Sequence, residues 1–107
     1  MPDPRLTLAL VARVPAAGVA TFHAYEEAVL PLLVRHGGVL ERRLSTGDRL
    51  VEIHVVSFPD AAAFEAYRAD PDRAACAPLL VESGAQLELH EVFDVERPGQ
   101  PCRVEHS

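Results

Sequence analysis

Leu6–Val14, LTLALVARV, is an apolar run with a single charge, Arg13. Such a run suits a central strand covered on both faces. Pro15-Ala16-Ala17-Gly18 ends it, and from about Val19 the period changes. Phe22, Tyr25, Val29, Leu33 and His36 recur at steps of three and four, which predicts one apolar stripe of a helix. Glu26, Glu27 and Arg35 are assigned to the other side, and His23 to the surface. Pro31 removes a backbone hydrogen bond, which predicts a kink. Gly37-Gly38 closes the helix, and His36 in its last turn suits the negative end of the dipole.

Val39–Ser45, VLERRLS, reads as a short strand whose charges protect a sheet edge. Thr46-Gly47-Asp48 is a tight turn, and Arg49–Phe58 is the second half of the hairpin. Pro59-Asp60 opens a second helix with Asp60 as its N-cap and an apolar stripe of Phe64 and Tyr67. Asp70-Pro71 interrupts that helix and restarts it, with Asp70 as cap and Pro71 at the first helical position. Ser83-Gly84 ends the helical stretch. Ala85–Val95 is the last strand, and the proline-rich tail at 96–107 reads as extended.

The order strand, helix, strand, strand, helix, strand, with short right-handed connections, predicts an α+β ferredoxin-like fold. It spans residues 1–95 as a single domain, with an antiparallel sheet in the order 4-1-3-2 and both helices on one face. Val11, Val56, Phe58 and Val92 are expected on the other face, where a second copy of the sheet is the economical cover.

Composition narrows the function. The chain has 107 residues, 49% apolar, enough for one globular domain. Its net charge is −6, and its ten basic residues, all arginine, are scattered among 16 acids. Phosphate-backbone binding needs a concentrated positive patch, so nucleic acid is not an expected partner. No apolar run reaches the roughly 20 residues of a membrane span, and the N-terminus lacks a signal-peptide pattern. Cys76 and Cys102 have neither metal-site nor redox spacing. The expectation is a soluble, cytoplasmic protein with reduced thiols and no membrane partner.

The candidate chemistry is a repeated Glu-x-His: Glu52-Ile53-His54 in the third strand and Glu88-Leu89-His90 in the fourth. A spacing of two puts each Glu and His on one face of its strand. Both pairs are expected on the face away from the helices, about 9.6 Å apart across the first strand, converging over Ala9. A histidine beside a carboxylate is fixed in tautomer and raised in basicity, as a general base requires. His54 and His90 are therefore the candidate catalytic residues, with Glu52 and Glu88 as orienting partners. A polar patch in a dimer interface, with the histidines held by carboxylates or by Arg13 and Arg43, is the plainer reading. Zinc or iron would suit two histidines and a carboxylate, but the spacing is not a ligand motif, so neither metal nor cofactor is assigned. Arg13 is a candidate for binding a substrate carboxylate, with a salt bridge to Glu41 or Asp94 as the alternative. Tyr67, on the core stripe, is a candidate to turn its hydroxyl to the cleft, and Tyr25 shares that possibility.

Tyr25–Gly38, YEEAVLPLLVRHGG, and Phe58–Ala75, FPDAAAFEAYRADPDRAA, resemble small bacterial proteins of uncharacterised function in the dimeric α/β-barrel superfamily. The resemblance extends over Leu6 to Val95. It implies a homodimer whose sheets face one another around a cleft, and it carries no agreed catalytic residues. Better-known relatives include cofactor-independent antibiotic-biosynthesis monooxygenases and muconolactone isomerases. Such monooxygenases use a tryptophan with polar cleft residues, and this chain has no tryptophan. The expectation is a homodimer that binds or transforms a small organic molecule in the cleft between the sheets. The alternative is a non-catalytic dimeric module with a structural or regulatory role, and the residues leave open whether the protein is an enzyme.

Overall fold

A computed structural model describes residues 5–95; the N-terminal residues 1–4 and the expected tail at 96–107, with Cys102, lie outside the described residues. The strands are β1 (Leu6–Arg13), β2 (Val39–Ser45), β3 (Val51–Phe58) and β4 (Gln86–Glu91). They form one sheet in the order β2-β3-β1-β4, with every pairing antiparallel. This is the predicted ferredoxin-like order. The last strand is shorter than expected, although the Val92 amide still bonds the Thr7 carbonyl at 3.0 Å.

The helices follow their local signals. A 3-10 turn at Ala16–Gly18 leads into α1 (Val19–Val29). Pro31 breaks the helix outright, and α2 (Leu32–Arg35) resumes after it. Gly37 follows with φ of +74°, the left-handed conformation that suits a residue without a Cβ. Asp60 caps α3 (Ala61–Arg68) by accepting from the Ala63 amide at 2.9 Å. Asp70 caps α4 (Pro71–Ala74) through the Asp72 amide at 2.8 Å, with Pro71 in the first turn. The segment ends in α5 (Ala77–Ser83).

One face of the sheet is buried under the helices in two clusters. Ala12 and Val14 meet Phe22, Tyr25 and Val29 of α1. Leu8 and Phe58 meet Leu33 and Tyr67. Phe22 and Phe58 are fully buried, and each side chain contributes about 3 kcal/mol by leaving water. Among the described residues, no helix is long and apolar enough to cross a membrane.

The register corrects the expected faces. Leu8 pairs with Val56, Leu10 with His54 and Ala12 with Glu52. Residues directly opposite in an antiparallel pair share a face. Glu52, His54, Val56 and Phe58 therefore point to the helices, not away from them, and Ile53 points to the open face. On the other side of β1, Ala9 pairs with His90 and Val11 with Glu88, so Glu88 and His90 do lie on the open face. The two Glu-x-His pairs sit on opposite sides of the sheet and cannot converge. The open face also carries Val11, Val55, and the exposed Val39 and Leu44.

β2 departs from regular pairing at one point. Leu40 pairs with Val56 and Arg42 with Val55, leaving Glu41 as the extra residue of a bulge. Regular alternation would put Arg42 opposite His54. The bulge puts Arg43 there instead, and so turns Arg43 towards the helix face.

Candidate functional site

His54 lies on the central strand β3 with its ring in the interior. Its Nε2 is 2.6 Å from Glu52 Oε1, the hydrogen bond that the Glu-x-His spacing anticipated. The same Nε2 is 3.0 Å from Oε2 of Glu26, one turn along α1 from Phe22. That contact lacks hydrogen-bond geometry, and Glu26 Oε2 is left buried without a hydrogen-bond partner. Glu26, Glu52 and His54 are 1%, 5% and 3% exposed. Charges so withdrawn from water need partners of opposite sign. Arg43 supplies one: its Nη2 donates to Glu26 Oε1 at 2.8 Å and its Nε to Glu52 Oε1 at 3.2 Å. His23, assigned to the surface by its position, comes within 3.5 Å of Glu52 Oε2.

The electrostatics follow from this arrangement. Burial pushes the Glu52 carboxyl up. Contacts with Glu26, His54 and Arg43 more than reverse that and hold it at about 2. Burial pulls the His54 imidazole down, but Glu26 and Glu52 outweigh burial, and its pKa is raised. The ionised Glu52 thus stands between a guanidinium and an imidazole biased towards its charged form. Among the described residues, His54 Nδ1 makes no hydrogen bond. Glu52 on Nε2 fixes the tautomer, which leaves Nδ1 to exchange a proton with whatever meets it. One donor atom each from His23, Glu26 and Glu52 lies within 4.8 Å of the others, a spacing open to a cation. Arg43 already binds both carboxylates and supplies that positive charge.

A cavity of about 300 Å³ lies beside this cluster, between the sheet and the helices. Its wall is mainly apolar, including Leu8, Leu10, Val29, Leu33 and Val56, with Leu87 and Leu89 of β4 half-exposed at the edge strand. Glu26, His54, Tyr25, Tyr67, Arg68 and Arg73 contribute the polar groups. A second, more polar cleft of about 320 Å³ is lined by His23, Arg43, Arg49 and Glu52. The charged cluster therefore stands between an apolar cavity and an outer polar cleft.

The remaining candidates separate. Tyr67 is buried in the core and lines the cavity. His90 lies 2.8 Å from Glu88, and Arg13 donates to Glu88 at 3.1 Å, in an exposed group on the open face. Arg13 thus pairs with neither Glu41 nor Asp94. His36 is held by Asp70 at 2.8 Å, in a group that includes Arg35 and serves the α4 cap. His36, Arg35 and backbone bonds keep the Asp70 carboxyl down at about 2.

Glu26 was missed as a site residue, and Arg43 was expected only to hold the histidines in an interface patch, whereas it binds the two buried carboxylates. Glu26 was assigned to the solvent side of α1, yet it is four residues after Phe22 and three before Val29, and so on the buried stripe. That spacing was the available signal. Arg43 owes its position to the bulge, which nothing in VLERRLS marks.

Solved structures share this architecture. SnoaB, a cofactor-independent oxygenase from Streptomyces nogalater, superimposes with a TM-score of 0.74 at 18% identity, over 92% of this chain and 100% of that one. A candidate antibiotic biosynthesis monooxygenase from Bacteroides thetaiotaomicron gives 0.74 at 15% identity, over 96% of this chain and 100% of that one. A NipSnap family protein of unknown function from Agrobacterium tumefaciens gives 0.62 at 14% identity, over 82% and 87%. The chain therefore has the ferredoxin-like α+β fold of the antibiotic biosynthesis monooxygenase and SnoaB-like proteins, as the sequence resemblance implied. At these identities the likeness concerns the fold alone. No family profile and no curated protein sequence matches the chain.

Proposed function

We propose that the protein binds a small, largely apolar organic molecule in the cavity between the sheet and the helices, and exchanges a proton with it through His54 Nδ1. The observation that carries this reading is the break in an apolar wall at His54, whose far nitrogen is clamped by Glu52 at 2.6 Å. Glu52 acts as the positioning residue, and Glu26 and Arg43 keep the pair charged and in place. The cavity is within the range that encloses small ligands. SnoaB, a cofactor-independent oxygenase, shares the fold, so the fold is compatible with chemistry performed by side chains, and the site has to carry the argument. The site thus moves from a cleft between two sheets to the interior of one protomer.

Dimerisation through the open face stays part of the proposal. Val11, Ile53, Val55, Val39 and Leu44 form an apolar field that a second sheet would cover. The proposal is thus of a homodimer with one cavity per protomer, and it keeps the expected cytoplasmic location. A non-catalytic module is the second reading, favoured by the closed Glu26–Arg43–Glu52–His54 network, which also resembles an internal lock.

Calorimetric titration with 1-naphthol separates the two. Saturable binding, one per protomer, is expected in the wild type. Leu10→Trp fills the cavity and abolishes binding, and His54→Gln weakens it without altering the circular dichroism. His90→Ala, on the opposite face, leaves binding unchanged. Ile53→Asp is expected to give monomers in sedimentation. Absence of saturable binding, or binding indifferent to Leu10→Trp, would sink the cavity reading.

A further inference from the structure

Arg73 is a cation without an acid. It lies on α4, lines the cavity, and is partly buried. Its guanidinium carbon sits 4.9 Å from the centroid of the Tyr67 ring. Its Nε is buried and makes no hydrogen bond, and among the described residues no carboxylate comes within ion-pair distance of it. The other arginines differ. Arg13, Arg35, Arg43 and Arg68 each have a carboxylate partner. Arg5 bonds Ser57 and the Gly37 carbonyl, while Arg42 and Arg49 are exposed to water. Among the described residues, Arg73 alone of the arginines is partly buried and without a carboxylate partner.

Its neighbours in the cavity wall add donors. Tyr25 and Tyr67 are both buried and both line the cavity, and among the described residues neither hydroxyl has a hydrogen-bond partner. Burial raises the Tyr25 pKa and the field of Arg73 opposes the rise, which places the phenol within electrostatic reach of the guanidinium. A guanidinium and two free phenols form a set able to donate to an anion. The other polar part of the wall, Glu26 with His54, carries a carboxylate and repels one.

Building on the cavity reading, we propose that its ligand is an organic carboxylate, that Arg73 receives the carboxylate group, and that the hydroxyls of Tyr25 and Tyr67 flank it. The planar fork of one arginine matches one carboxylate in charge and shape. The apolar body of the ligand then fills the space between Leu10, Val29 and Val56, with its far end towards His54.

The test compares 1-naphthoate with 1-naphthamide, two molecules of nearly equal shape and different charge, by calorimetric titration of the full chain. The wild type is expected to prefer naphthoate at least tenfold. Arg73→Met keeps the stem over Tyr67 and is expected to reduce naphthoate binding to the level of naphthamide, with naphthamide binding unchanged. Arg42→Met, on the open face and outside the cavity, retains the preference. Equal binding of the two compounds by the wild type, or a preference that survives Arg73→Met, overturns this assignment and leaves the cavity reading intact. If neither compound binds, both fall. The wild-type preference is read without any variant, so an Arg73→Met protein that fails to fold does not remove the test.

Discussion

Replacing Arg43 by methionine removes the one guanidinium that touches both buried carboxylates while keeping most of the side-chain stem. Glu26 and Glu52 side chains are 1% and 6% exposed and sit 2.8 and 3.2 Å from the Arg43 nitrogens. Removing one partner of a fully buried ion pair costs about 3–5 kcal/mol, because the other is left charged and unpaired. Arg43 itself is 44% exposed, so water already screens part of the interaction. Half the buried-pair value, about 2 kcal/mol, is the expected loss. For a domain of this size that is a drop of about 8–16 °C in Tm. Adding Glu26→Gln to Arg43→Met removes the stranded charge and is expected to restore about 1 kcal/mol, although Glu26→Gln alone destabilises the wild type.

The assignment has a pH signature. Glu52 is held at about 2 in the folded protein against an ordinary 4.5. A carboxylate depressed in this way contributes stability that is full above about pH 4.5 and is lost as pH falls towards 2. Without Arg43 the carboxyl rises towards its ordinary value, so the variant has less to lose in acid. The gap between wild type and Arg43→Met is therefore widest at neutral pH and closes towards pH 2. Urea denaturation followed by far-UV circular dichroism measures it. A loss below about 0.5 kcal/mol at neutral pH, or a gap of constant size down to about pH 3, would refute the charge argument.

His54 gives the opposite slope. Its folded pKa is raised above 6.5, so its contribution is present below about pH 6.5 and is lost as pH rises through the raised value. Wild-type urea midpoints are expected to fall on the alkaline side of neutrality, and His54→Gln to flatten that fall; parallel profiles would contradict the assignment. Gly18→Ala tests a close approach: a Cβ there would lie 1.9 Å from the Ser83 carbonyl oxygen, which requires α5 to shift. A loss of about 3 kcal/mol is expected in the same denaturation assay, and a neutral result would mean that the contact is not tight.

Much of the fold was legible because it rests on local signals. Pro31, Gly37, Asp60 and Asp70-Pro71 each act within a turn, and strand order follows from element order and connection rules. The site depended on something less local. Glu-x-His states that two side chains share a face but not which face, since a shift of one residue in pairing exchanges the two. The same three-residue pattern, read on β3 and on β4, therefore produced one buried pair and one exposed pair. Both strands are antiparallel to β1, and only the register distinguishes them: Val11 is opposite Ile53 on one side and Glu88 on the other.

That parity also explains why the buried pair is sustainable. A Glu-x-His facing helices needs charge partners from a second and a third element, and neither is supplied by the strand that carries it. α1 brings Glu26 from its apolar stripe, and the bulge at Glu41 turns Arg43 inward from a strand whose charges otherwise protect an edge. If Glu41 instead paired regularly with Val55, Arg42 would fall opposite His54, Arg43 would turn to the open face and every later pairing of β2 would change by one residue, whereas deleting Glu41 would remove the bulge and leave Arg43 opposite His54. The position of one guanidinium, and with it the charge compensation of Glu26 and Glu52, is thus set by an irregularity in backbone pairing rather than by the residues of the motif. The chemistry of this cavity depends on β2 as much as on the strand that carries the histidine.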